Sequence, residues 1–176
     1  MQSNSSVEIC VGIDPGIQGA IAFVDWRGAL LKTLPMPIIK VDKRSEVDPV
    51  AFEFILERNI RNKSAIVVVE KVTAFGMGLT SAFTWGKQLG AIHAIARLLC
   101  KDVHRVRPQE WQAVMFSDPK DRSLNTKQKA NREAAHLFPQ LKETLKLKKN
   151  QGYADAALIA AFGVVQFITP QTRKKQ

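Results

Sequence analysis

The chain has 176 residues, 45% of them hydrophobic, and a formal net charge of +10. That length and apolar content supply one domain with a proper core and exclude wholesale disorder. No run reaches the ~18 uninterrupted apolar residues of a membrane span, and Met1 to Ser6 contain no apolar signal region, so the basic balance points to a polyanionic partner, nucleic acid or an anionic surface.

Val7 to Asp14 reads as the first strand: an apolar run ending in a carboxylate and cut off by Pro15-Gly16. Gly19 to Asp25 is the second strand, Trp26-Arg27-Gly28 the turn, and Ala29 to Met36 the third strand, closed by Pro35 and Pro37. Lys40 to Asp48 is charged and reads as loop. Asp48-Pro49 then reads as an N-cap with proline at the first helical position, and the helix that follows directs Val50, Phe54 and Ile55 inward. Ala65 to Glu70 is a continuous Val/Ile run, the pattern of a central strand buried on both faces.

The Gly-rich loop Phe75-Gly76-Met77-Gly78 precedes a long helix, Thr80 to Leu99, with Phe83, Leu89, Ile92, Ile95 and Leu99 near helical spacing. Val103 to Val106 is the fifth strand. Pro108 opens a helix through Met115. Ser117 to Asn125 is polar and reads as a mobile loop. Thr126 to Phe138 is helical, Leu141 to Gly152 a lysine-rich connection, and Tyr153 to Phe167 the last helix. Residues 1–6 read as a disordered N-terminus, 7–168 as a single domain, and 169–176 as a basic tail.

A three-strand meander followed by alternating helix and strand predicts an α/β fold. It is a five-stranded mixed sheet, antiparallel meander plus parallel strands, with helices on both faces. The first strand and Ala65–Glu70 lie side by side at its centre, which brings Asp14 and Glu70 to one edge. Asp155 sits in an apolar run, Ala154 to Ala161, near the start of a helix that can reach the same point. Acidic residues are seldom buried unless paired or metal-bound. Three carboxylates at one edge stay ionised only with cations between them, and hard oxygen ligands suit Mg²⁺ or Mn²⁺. Two such ions about 4 Å apart activate a water and stabilise the leaving oxygen of a phosphodiester. The charge pattern therefore suggests a metal-dependent nuclease. Taken one at a time, an Asp before Pro-Gly is also ordinary turn chemistry, and an Asp near a helix start also an ordinary cap.

Asp14-Pro15-Gly16 with Gly19-Ala20-Ile21-Ala22, then Val69-Glu70-Lys71, then Tyr153-Ala154-Asp155-Ala156 through Ala160, resembles the motif series of the RuvC-type Holliday-junction resolvases, in the RNase H-like superfamily. The resemblance runs from Val7 to Val165. It is nearest to the chloroplast branch (Monokaryotic Chloroplast), through Leu137-Phe138-Pro139 and the run Leu145 to Lys149 before Gly152. The resemblance implies an RNase H-like nuclease domain that resolves four-way DNA junctions by paired symmetric nicks, as a homodimer. It implies two Mg²⁺ per site, replaceable by Mn²⁺, on Asp14, Glu70 and Asp155, with no small-molecule cofactor and no membrane. It implies the cytoplasm or nucleoid as location for a bacterial or phage protein, and a matrix or stroma for an organellar one. Counted back from Leu137-Phe138-Pro139, Lys127 matches the lysine of the chloroplast branch near its active site, where it could neutralise phosphate charge. There is a departure. Many bacterial members carry a second aspartate three before the last acid, where this chain has Gly152. The chloroplast branch has a histidine four before it, where this chain has Gln151, an amide that can orient a water but is a poor base.

Lys142, Lys146, Lys148 and Lys149 read as phosphate contacts, with Arg107 and also Arg105, Lys120, Arg122, Lys127 and Lys129 extending the track. Phe75, with Met77 in reserve, reads as an apolar wedge on a Gly-flanked loop, the alternative being a core residue. In the family a residue of this loop enters the junction centre. The long helix has more apolar content than one core-facing stripe needs and reads as a dimer surface. His93 and His104 read as structural, His136 as facing a helix surface, and Cys10 and Cys100 as reduced core thiols. Two alternatives stay open: an RNase H-like nuclease for other branched DNA or structured RNA, and a junction-binding protein with weakened catalysis, for which Gln151 speaks.

Overall fold

The computed structural model describes residues 7–120, 122–147 and 150–169. The expected disordered residues 1–6, and the expected basic tail beyond its first residue, lie outside them. Strands β1 (Ile9–Asp14), β2 (Ala20–Asp25) and β3 (Leu30–Pro35) form the antiparallel meander. After two short strands, β4 (Ile38–Val41) and β5 (Arg44–Val47), and helix α1 (Pro49–Ile60) come β6 (Ala65–Glu70), α2 (Leu79–Leu99), β7 (Asp102–Val106), α3 (Pro108–Met115), α4 (Thr126–Leu137) and α5 (Gln151–Gly163). The sheet order is β3-β2-β1-β6-β7, with β6 parallel to β1 and β7 parallel to β6. The mixed five-stranded sheet with helices on both faces is the expected fold.

Strand alternation sorts the core into two layers. Even-numbered residues of the central strands, Cys10, Ala20, Ala22, Ile66 and Val68, pack with α5, Trp111 of α3 and Ala130 and Ala134 of α4. Odd-numbered residues, Ile9, Val11, Ile13, Ile21, Val67 and Val69, pack with Phe52, Leu56 and Ile60 of α1 and Ile92 and Ala96 of α2. Cys10 and Cys100 are buried, unpaired thiols, and burial pushes the pKa of Cys100 up to about 11, so both are inert core groups. The α5 helix approaches β1 closely at Gly12, where a Cβ would run into the backbone of Ala156 and Ala160.

Three expectations need correcting. The charged stretch Lys40 to Asp48 contains a hairpin, β4 (Ile38–Val41) against β5 (Arg44–Val47), turned at Asp42 with φ +54°. Aspartate tolerates the left-handed region, which lets a Gly-free turn form. In α1 the buried residues are Phe52, Leu56 and Ile60, whereas Val50 and Phe54 are exposed. The helix phase is set by its cap: the Asp48 carboxylate accepts from the Val50 and Ala51 amides at 3.0 and 3.1 Å. Of the two apolar stripes, the one with three members at i, i+4 and i+8 takes the core. In α2, Phe83 is 76% exposed and faces away from the core.

The segment Ser117 to Asn125 has no helix or strand among its described residues, but it is tied down. Ser117 donates to Glu133 at 2.7 Å, and the Lys129 ammonium donates to the Pro119 carbonyl at 2.9 Å. Lys129 is buried by this bond. It holds the loop and does not extend the phosphate track.

Candidate active site

Asp14 and Glu70 reach the same edge through register. In the parallel β1–β6 ladder Gly12 pairs with Val68 and Ile13 with Val69, so Asp14 and Glu70 end adjacent strands one step further on. Both are even-numbered, which aims them at the layer occupied by α5. On α5, Asp155 precedes Ala156, whose backbone lies over Gly12. Two strand ends and one helix start thus deliver three carboxylates to one place.

Their electrostatics follow. Burial raises the pKa of Asp14, while the Gly16 amide, donating at 3.4 Å, and the charge of Lys127 pull it down. Burial also raises Glu70, opposed by a hydrogen bond from Trp111 and reinforced by the Asp14 charge. Asp155 is pushed up to about 7 by burial and then by the charges of Asp14 and Glu70, with Lys127 opposing. Glu70 feels Asp14, Asp155 feels both, and Lys127, in the first turn of α4, acts on Asp14 and Asp155. That turn is held by Asn125 and Gln128, which exchange two bonds of 2.9 Å across the cap.

The residue that sequence reasoning missed is Trp111. It is 1% exposed, and its indole N–H donates to Glu70 Oε1 at 2.9 Å. Phe116 packs edge-on against its ring, with centroids 5.6 Å apart. A single large aromatic in the short helix α3 was the available signal. Its partner lies 41 residues earlier in the chain, beyond any local periodicity.

The departure at Gly152 has a structural cause. A Cβ there would lie 2.6 Å from the Gln18 carbonyl oxygen and 2.7 Å from Gly19 Cα. The β1–β2 turn fills the space, so no aspartate fits at this position without moving backbone. Gln151 is the first residue of α5, and its side chain lies outside what is described.

The donor chemistry of Asp14, Glu70 and Asp155 fits a hard divalent cation, which would offset the burial that raises all three carboxyls and the repulsion that adds to it at Glu70 and Asp155. Their spacing is not that of a closed ligand set: among the described residues, no group of three His, Cys, Asp or Glu side chains is placed to hold a metal ion.

Around this edge, Phe75 is 97% exposed, which removes the core alternative for it, and Met77 is 41% exposed. Gly76 between them has φ +79°, a left-handed conformation that favours glycine. Arg107 is exposed, but its guanidinium is engaged by Glu110, with Nε and Nη2 at 3.1 and 3.0 Å from Oε1. Lys146 pairs with Glu143 at 2.7 Å, and Lys142 is exposed. Lys148 and Lys149 lie outside the described residues. His104 stacks on Phe167 at 3.8 Å, a structural role as expected. No helix among the described residues is long and apolar enough to cross a membrane.

No protein-family model and no curated relative matches the chain. Among solved structures it is similar to Thermus thermophilus RuvC in complex with a Holliday junction substrate, with a TM-score of 0.58 and 16% identity over 92% of this chain and 97% of that one. It is also similar to a Thermus thermophilus RuvC structure, with a TM-score of 0.52 and 18% identity over 91% and 97%. The yeast mitochondrial Holliday junction resolvase Ydc2 gives a TM-score of 0.43 at 12% identity, over 93% and 80%. The chain has the RNase H-like fold in its RuvC-type form.

Proposed function

We propose that the protein is a metal-dependent, structure-selective endonuclease that resolves four-way DNA junctions by paired symmetric nicks, acting as a homodimer. The observation that carries this reading is the meeting of Asp14, Glu70 and Asp155 at one sheet edge of a chain with net charge +10. Asp14, Glu70 and Asp155 would hold Mg²⁺ or Mn²⁺, two ions per site. When bound, the cations polarise the scissile phosphodiester and the attacking water.

The remaining residues have separable tasks. Trp111 fixes one Glu70 oxygen and leaves the other for ligation. Lys127 offsets negative charge near Asp14 and Asp155 and is suited to a phosphate oxygen. Lys142, Lys146, Lys148 and Lys149, with Arg107, would bind duplex arms through phosphate, without reading branching. Phe75 supplies the sensing of an open centre: an apolar ring on a Gly-flanked loop enters most easily where stacking is already broken. The exposed Leu79, Phe83 and Leu98 on α2 support its use as the dimer surface. The run Leu137-Phe138-Pro139 and Lys127 support placement in the chloroplast branch of the family.

A second reading, a junction-binding protein with weakened cleavage, is favoured by Gly152, whose packing excludes the fourth carboxylate. Synthetic four-way junction, fork, hairpin and plain duplex, each with Mg²⁺, separate the two. The nuclease reading expects paired nicks confined to the junction. Tight junction binding with no nicks would favour the second.

A further inference from the structure

We infer that Glu133 and Lys129 of α4 are positioning residues for the acidic edge: they clamp the chain leaving α3 and so hold the Trp111 indole against Glu70. The clamp stands independently of the nuclease reading, and its effect on cation binding rests on that reading.

Among the described residues only two charged ones are less than a tenth exposed, Lys129 at 7% and Glu133 at 9%. Charged groups are seldom buried without partners, and both have them. They stand four apart in α4 and so share a face. Glu133 Oε1 accepts from the Ser117 hydroxyl at 2.7 Å and from Arg132 Nε and Nη2, each at 3.1 Å. The Lys129 ammonium donates to the Pro119 carbonyl at 2.9 Å. Burial pushes the Glu133 pKa up, but the bonds from Ser117 and Arg132 outweigh it and hold the carboxyl below its ordinary value.

Both bonds grip one short stretch, Ser117 to Pro119, just after α3. Ser117 follows Phe116, whose ring packs edge-on against Trp111. The Trp111 N–H donates to Glu70. The path from α4 to Glu70 thus runs through Ser117, Phe116 and Trp111. Apolar packing already covers this region, since Trp111, Phe116, Ala130 and Ala134 share one core cluster. Apolar side chains at 129 and 133 would extend that packing at a smaller desolvation cost. What the charged groups add is direction. Apolar contact is non-directional, whereas a hydrogen bond fixes distance and angle. Direction is what Trp111 needs in order to fix one Glu70 oxygen and leave the other for a cation, because groups behind a metal ligand set its orientation.

The test follows the Trp111 indole N–H resonance in the full-length, metal-free protein, assigned with Trp111→Phe. Ser117→Ala removes the hydroxyl at an exposed position, and Ser117→Thr keeps it. Lys129→Met removes the ammonium and keeps an apolar stem. The resonance should move upfield and broaden in Ser117→Ala and in Lys129→Met, as the bond to Glu70 loosens, and stay in place in Ser117→Thr. Mn²⁺ binding is then read from the electron paramagnetic resonance of the free ion. Affinity should fall about tenfold in Trp111→Phe and in Ser117→Ala, and no further in the double variant, because Ser117 acts through the indole. A resonance unmoved in Ser117→Ala would overturn the role of Glu133, and one unmoved in Lys129→Met that of Lys129, whatever either change does to stability. A shift in Ser117→Thr as large as in Ser117→Ala, or losses of affinity that add in the double variant, would overturn the path through Ser117. A wild type that binds no Mn²⁺, with a resonance that still moves in the variants, would sink the metal-dependent reading and leave the clamp standing.

Discussion

Helices α5 and α2 lie on opposite faces of the same sheet, and they treat apolar side chains in opposite ways. In α5 every residue from Ala156 to Phe162 is buried, and small side chains let its backbone touch β1 at Gly12. In α2 only Gln88, Ile92 and Ala96 of 21 residues are buried, and Leu79, Phe83 and Leu98 stand in solvent. A helix packed on all sides fixes position, which is what Asp155 needs at its start. A helix with an open apolar stripe, and with Trp85 Nε1, Gln88 Oε1 and His93 Nε2 buried without a hydrogen-bond partner, is packed far less completely.

The contrast breaks most sharply at glycine. Gly12→Ala places a methyl against the α5 backbone and should cost about 3 kcal/mol or more in thermal or urea unfolding. Gly86→Ala and Gly90→Ala in α2 meet nothing within 4 Å and should each stabilise by about 1 kcal/mol. Equal losses at the three positions would mean that α2 is packed as tightly as α5.

Asp155 sharpens the contrast through pH. Its folded pKa of about 7 lies above the ordinary 3.8, so between those values the folded protein holds a proton that the unfolded chain has released. Stability of the metal-free protein should therefore fall as pH rises from about 4 to 7 and then level off. Asp155→Asn should make the fall smaller, leaving only the part that the raised Asp14 and Glu70 carboxyls contribute, so that the variant is more stable than wild type at pH 8 and similar near pH 4. Chemical denaturation across that range checks this, and Mg²⁺ at pH 8 should restore stability to the wild type alone.

Trp111→Phe keeps a ring but takes the donor from Glu70. Loss of that bond lets the Glu70 pKa rise further. Stability at neutral pH should drop by about 2 kcal/mol, and the acid limb of the cleavage profile should move to higher pH. A loss of stability with an unmoved pH profile would reduce Trp111 to packing alone.

The smallest change in folding is expected on the open stripe. Phe83→Glu should alter monomer stability by no more than about 0.5 kcal/mol, while weakening self-association at least about tenfold in sedimentation equilibrium. Unaltered self-association would remove α2 from the dimer surface.

Much of this was legible in the chain. The β6 run Ala65–Glu70 and the helix Pro108–Met115 follow their apolar and proline signals to the residue. Strand parity then carries Asp14 and Glu70 to one layer. The hairpin Ile38–Val47 was hidden because its strands are short and largely exposed, so they carry no apolar alternation, and its turn uses Asp42 in place of glycine. The α1 face was misread because Val50 and Phe54 form a competing stripe. Trp111 and the tight fit at Gly152 depend on contacts between segments far apart in sequence, which no local pattern encodes.

The central claim, that three carboxylates make one cleavage site, is tested most directly by Asp14→Asn, Glu70→Gln and Asp155→Asn assayed singly on a synthetic four-way junction with Mg²⁺. Each should lower nicking by at least about a thousandfold while junction affinity stays within a few-fold of wild type, because cation binding needs all three charges and affinity comes from phosphate contacts elsewhere. Near-wild-type nicking in any one of them would show that its carboxylate lies outside the site.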